Sequence, residues 1–150
     1  MLKNTIFENA ELIKTFTKSG NREYCNIYYD EPTKTVIDVW ETDFGTPDNF
    51  QDVLKGVVEV VRTKRAKKWL ADLRSMKGGF QNSTKFLEDF VMKEVERFGL
   101  KYEAVLLPGD VFASLSAKGS VKSLKEKVKV EVVPFDSMEK AVEWLESKKV

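Results

Sequence analysis

The sequence contains no histidine and a single cysteine, Cys25. Without histidine there is no imidazole acid or base, no Ser-His-Asp or Cys-His constellation, and none of the usual zinc ligand sets. One thiol cannot close an intramolecular disulfide. It sits in REYCNIYYD, a β-type run, where a buried structural thiol is expected. Neither sign of charge dominates: 25 Lys and Arg face 24 Asp and Glu, for a net +1. That balance offers no broad field for nucleic acid or for an acidic membrane surface. No apolar run approaches the roughly 20 residues that span a bilayer. MLKNTIFENAELIK places charges where a signal peptide needs an unbroken apolar stretch, so the expected location is the cytoplasm. Linkers, internal repeats and low-complexity segments are absent too.

What remains is the composition of a globular protein, with 42% apolar and 33% charged residues in 150. That length is expected to form one domain, 1–150, with a continuous core. A weak first strand is predicted at Thr5-Ile6-Phe7. Residues 22–29 and 34–41 are rich in aromatic and β-branched side chains and flank the turn Asp30-Glu31-Pro32-Thr33, which predicts an antiparallel hairpin. Thr46-Pro47-Asp48 then supplies an N-cap, a first-position proline and a first-turn acid. Phe50, Val53, Leu54, Val57, Val58 and Val61 follow at helical spacing. The basic run Arg62, Lys64, Arg65, Lys67 and Lys68 reads as a solvated face complementing the helix C-terminus.

WLADL at 69–73 and YEAVLLP at 102–108 are short and mostly apolar, as strands buried on both faces are. Between them a helix is predicted with Phe86, Leu87, Phe90, Val91, Val95 and Phe98 on one side and Gly99 at its end. Asp110 is placed to cap a short helix carrying Val111, Phe112 and Leu115. VKVEVV at 128–133 alternates like a strand with one wet face at a sheet edge. Asp136 with Glu139 resembles a capping box opening the last helix, which buries Met138, Ala141, Val142 and Leu145 with Trp144 beside them. The fold class expected is therefore α/β: a mixed sheet with an N-terminal antiparallel hairpin, then parallel βα units, and about four helices. Sites in such sheets lie at the carboxyl ends of the parallel strands. The segment LADLRSMKGGFQNST occupies that place.

A P-loop would need Gly-Lys-Ser/Thr after its glycines, but Lys77 precedes Gly78-Gly79. No G-x-G-x-x-G follows a strand. A phospho-receiver would use Asp72, yet the later strand ends Leu106-Leu107-Pro108-Gly109 without the lysine it needs. Two readings of Asn82-Ser83-Thr84 rest on the same chemistry. The free N–H groups of a helix start would accommodate a phosphate on Ser83 or Thr84, and they equally suit Asn82 or Ser83 as an N-cap. Asp72 is equally suited to bonding backbone groups of the turn, and Gly78-Gly79 to supplying positive φ.

KKWLADLRSM, ERFGLKYEAVLLPGDVF and VEVVPFDSMEKAVEWL, within a span from about Val36 to Leu145, resemble the STAS-type, SpoIIAA-like family, in particular its small stand-alone bacterial members. The resemblance implies a SpoIIAA-like fold and a regulatory role like that of anti-sigma-factor antagonists. In those proteins a kinase phosphorylates a Ser at this helix start. Here Gln81-Asn82-Ser83-Thr84 lacks the family's Asp-Ser-x-Gly pattern, and Ser83 is the nearest match.

The function expected is a non-catalytic interaction domain without cofactor or metal, docking an unidentified protein partner through Asp72, Arg74, Ser75, Lys77, Phe80 and Asn82, with Lys85 adding charge. Phe80 is either an interface anchor or folded back onto the core. The alternative is a small-molecule or lipid-binding module whose pocket is lined by Tyr24, Tyr28, Tyr29, Trp40 and Trp69. A homodimer through strand 128–133 is compatible with either. Catalysis is the least favoured class, with Asp38, Asp43 and Asp72 as the carboxylates near strand ends.

Overall fold

A computed structural model describes residues 2–18, 21–42 and 46–150. Its six strands form one sheet whose spatial order is the chain order: β1 Glu11–Lys18, β2 Arg22–Asp30, β3 Thr35–Trp40, β4 Lys68–Asp72, β5 Tyr102–Leu106 and β6 Glu131–Phe135. The first three strands pair antiparallel and β3 to β6 pair parallel. The mixed α/β class expected from the sequence is the one observed. The weak strand at 5–7 is instead part of a turn, and the true first strand follows it.

The helical segments are α1 Pro47–Lys64, α2 Thr84–Phe86, α3 Met92–Arg97, α4 Val111–Leu124 and α5 Met138–Ser147. A π-helical turn, Leu87–Val91, joins α2 to α3 into one rod. Because successive parallel strands step in one direction and the crossovers share one hand, α1, this rod and α4 all pack on the same sheet face. The opposite face is covered by α5 and the turn at residues 2–10, with Phe7, Ile37, Val39, Leu70, Leu106 and Leu145 between them.

Local chemistry explains the boundaries. Thr46 and Asn49 form a reciprocal capping box, with Pro47 at the start of α1. Asp110 caps α4 through the Ala113 amide at 3.0 Å, and this helix runs 14 residues rather than the short one expected. The cap of α5 is Ser137, which accepts from the Lys140 amide at 3.2 Å; Asp136, the expected cap, pairs instead with the Lys140 ammonium. Lys68 departs from the solvated basic face: it is buried and donates to the Leu145 carbonyl at 2.6 Å.

Two elements shift from their expected positions. The wet-faced strand is indeed at an edge but occupies Glu131–Phe135, because the Val128 amide still bonds to the Leu124 carbonyl at the end of α4. Pro134 in that strand lacks an N–H, which leaves a gap against any strand a second copy would add. The π turn rotates the face of the middle rod. Val91, Met92 and Val95 are buried, whereas Phe90, expected inside, is 40% exposed and stacks on Phe86 at 5.2 Å. The same rotation turns Glu88 inward to Lys127 at 2.7 Å, which holds its carboxyl below the usual range.

Candidate functional site: the β4 outlet and an acidic cavity beneath it

At the outlet, Asp72 is fully buried on the α5 side and grips Arg74. Its Oδ1 accepts from the Arg74 amide at 3.2 Å and from Nε at 2.9 Å, and its Oδ2 accepts from Nη2 at 2.8 Å. This two-pronged pairing raises the Arg74 pKa and spends the Asp72 carboxylate on structure. Gly78 takes φ +76°, open to glycine without strain, and its amide donates to Asp110 Oδ2 at 3.0 Å. The Phe80 amide donates to Ser116 Oγ at 3.2 Å. Thus α4 holds the loop through two backbone amides.

The outlet residues separate into two groups. Arg74, Lys77, Asn82 and Lys85 are exposed, and Ser75 and Thr84 are half-buried. Phe80 is buried and stacks on Phe50 with ring centroids 4.9 Å apart, so it folds back onto the core and is no surface anchor. Ser83 is only 1% exposed, and its Oγ has no partner among the described residues. It stands at the helix start but makes no side-chain cap bond, and Asn82 lies one residue outside in a 3-10 turn. The expected N-cap bond is therefore not formed. Cys25 is buried, and desolvation with the nearby Asp38 charge pushes its thiol pKa well up, as suits a structural thiol.

Beneath the outlet, between the sheet and its helical cover, lies a cavity of about 50 Å³. Trp40, Phe50, Trp69 and Phe80 provide aromatic wall, and Leu54, Val105, Val121 and Leu124 aliphatic wall. Asp38 and Glu103 line it from the sheet and Ser120 from α4. The register brings the acids together. Trp69 of β4 pairs with Val36 of β3 on one side and with Glu103 of β5 on the other, and Asp38 stands two residues beyond Val36 on the same face. Asp38 Oδ1 accepts from Trp69 Nε1 at 2.6 Å, and Oδ2 from Trp40 Nε1 at 2.8 Å.

Burial outweighs those two bonds and pushes the Asp38 pKa up to about 6. Glu103 is pushed well above the usual carboxyl range, first by burial and then by the Asp38 charge. No protein group among the described residues hydrogen-bonds its carboxyl. Ser120 Oγ is likewise unpartnered, and both residues are only 5% exposed.

Of the carboxylates expected near strand ends, Asp38 enters this cavity, Asp72 is committed to Arg74, and Asp43 lies outside the described residues. Of the aromatic residues expected to line a pocket, Trp40 and Trp69 do so, whereas Tyr24, Tyr28 and Tyr29 are absent from its lining. Glu103 and Ser120 were missed. The legible signal for Glu103 was an acid in the second position of YEAVL, a strand otherwise apolar enough to be buried on both faces. Among the described residues no three His, Cys, Asp or Glu side chains converge as a metal site would require, and no helix is long and apolar enough to cross a membrane.

The fold and site define a mixed-sheet α/β protein with helices wound along one face and a small acidic cavity under them. No family model and no curated protein matches the chain. Among solved structures, apo-SiaC from Pseudomonas aeruginosa aligns with a TM-score of 0.46 at 10% identity, over 81% of this chain and 98% of that one. The likeness is loose.

Proposed function

We propose that the protein is a non-catalytic regulatory interaction domain of the SpoIIAA-like kind that its sequence resembles, docking an acidic, apolar-anchored protein surface at the outlet of β4 and β5. The observation that carries this reading is a pair of apolar side chains left in solvent. Val111 and Leu115, one turn apart on α4, are 68% and 62% exposed. They sit at the end of α4 whose cap, Asp110, holds Gly78, next to the exposed Lys77. Lys118 and Lys122 continue the outward face, and α4 contains no acidic residue. An apolar pair rimmed by lysines suits a partner presenting aliphatic or aromatic side chains among carboxylates.

Phosphorylation belongs to this proposal as a modulator. Thr84, half-buried, is reachable without unwinding the helix start, and Ser83 is not. A phosphate at either position would place negative charge beside Lys85 and weaken docking of an acidic partner.

A photo-crosslinking residue at position 115 in the native cell, followed by affinity measurement with the captured protein, tests the reading. Leu115→Asp is expected to weaken binding about tenfold or more, and Lys77→Glu to lower the association rate and its salt dependence. A partner whose affinity ignores both changes would refute it. A second reading, a small-ligand module, is favoured by the cavity lined by Trp40 and Trp69.

A further inference from the structure

The strongest unexplained feature is the cavity, where acidic groups that are costly to bury have been left without a counter-charge. Burying a carboxyl without a partner costs several kcal/mol in most settings. Asp38 is answered by two indole N–H groups, but among the described residues nothing hydrogen-bonds the Glu103 carboxyl or the Ser120 hydroxyl, and no lysine or arginine lines the space. The open functions are the Ser120 hydroxyl and the Glu103 carboxyl, in a wall otherwise mostly of carbon. Burial favours the neutral form of that carboxyl, and a bound cation would restore its charge and turn both of its oxygens into acceptors. Such a site calls for a donor-rich occupant.

Inorganic cations fit poorly. Calcium takes six to eight oxygens and magnesium near-octahedral ones, whereas two carboxyls and one hydroxyl are offered here. An alkylammonium ion needs only one to three acceptors and tolerates carbon walls, and aromatic surroundings favour an organic cation over a strongly hydrated one. Size narrows the class: a cavity of about 50 Å³ has room for about four water-sized groups.

We infer that this cavity is a binding site for a small organic cation, a primary or methylated ammonium of a few heavy atoms, with Glu103 as its anchor, Ser120 as a second acceptor and Trp40 and Trp69 as wall. The inference rests on the small-ligand reading and is independent of the docking surface on α4. Asp38, already bonded to both indoles, positions those rings, and binding reports through them.

The test uses the whole chain, with the indole N–H signals of its three tryptophans followed by NMR. Methylammonium and trimethylammonium chloride are titrated against sodium chloride at equal ionic strength and against tert-butanol, a neutral molecule of similar size. Saturable shifts of the Trp40 and Trp69 signals with an alkylammonium, while Trp144 on α5 stays still, are expected. Glu103→Gln should weaken that binding about tenfold to a hundredfold, the scale of a lost hydrogen bond to a charged group. Ser120→Ala should weaken it less and is the fallback should the glutamine variant misfold. If tert-butanol binds as well as the cations, or Glu103→Gln binds them unchanged, the cation assignment falls while a pocket remains. If no probe moves Trp40 or Trp69, pocket and cation both fall and the space holds water only.

Discussion

The two faces of the sheet bury similar kinds of strand but treat their polar groups differently. On the α5 face the buried charged groups stand at strand ends, and each is answered: Asp30 at the end of β2 by the Thr33 hydroxyl, and at the two ends of β4 Lys68 by the Leu145 carbonyl and Asp72 by the Arg74 fork. Its middle is apolar, with Ile37, Val39, Leu70 and Leu106 under Leu145 and Phe7, apart from the Asn26 amide oxygen, which has no partner among the described residues. On the helical face the acids lie in the middle, and one of them is unanswered among the described residues. A buried charge at a strand end can reach a loop or a helix terminus, where the backbone offers partners. One in the middle of a sheet meets only side chains from the covering layer, and here α4 offers a single hydroxyl. The first face is built for stability, while the second gives some away.

The largest effect that sharpens this comparison comes from truncating one large side chain on each face. Leu145→Ala should cost about 2–5 kcal/mol and Phe80→Ala about 3–5 kcal/mol in chemical denaturation. A loss below about 1 kcal/mol at Phe80 would return that ring to the surface and break the contrast.

Next in size is the pH response. The folded pKa of Asp38 is raised to about 6, and that of Glu103 lies well above its ordinary value. The folded chain therefore keeps protons that the unfolded chain sheds, so this face loses stability as pH rises through the interval between unfolded and folded pKa values. For Asp38 the full loss is on the order of 3 kcal/mol, reached above its folded pKa. Glu88 works in the opposite sense: Lys127 lowers its pKa, and its contribution is lost as pH falls through the folded value. Thermal melts between about pH 5 and 8 should show the first trend, and Glu103→Gln should flatten it and raise the melting temperature at the alkaline end. A glutamine variant with the wild-type slope would remove Glu103 from the account.

The smallest effect is the most pointed. Ser120→Ala removes a hydroxyl that bonds nothing among the described residues, so the free protein should be unchanged or stabilised, within about 1 kcal/mol. A clear destabilisation would show that Ser120 has a partner and that the cavity is structurally satisfied.

Much of the frame was legible because its signals are local. Thr46-Pro47 and the valine stripe located α1, and the polar turn at Asp30 to Thr33 located the hairpin. β1 escaped because ELIKTFTK is mostly exposed and pairs only with β2, so apolar alternation is weak and the ladder is held by backbone bonds. The middle rod was read with a uniform helical period, and its π turn broke that period. At the site, Asp72 and Arg74 are near neighbours in sequence, yet their pairing depended on Asp72 facing the α5 side. Phe80 stood as either anchor or core, and the stack on Phe50 decided it. Glu103 looked like an ordinary residue in a strand.

By itself the sequence determined most of the element types and many of their limits, the absence of imidazole chemistry, and the burial of β4, since periodicity, caps and residue chemistry act over a few residues. Only the tertiary structure decided that Asp38, Glu103 and Ser120 share one cavity. Their meeting depends on the register of three strands and on which side chain of α4 faces them, and no short stretch of chain encodes either.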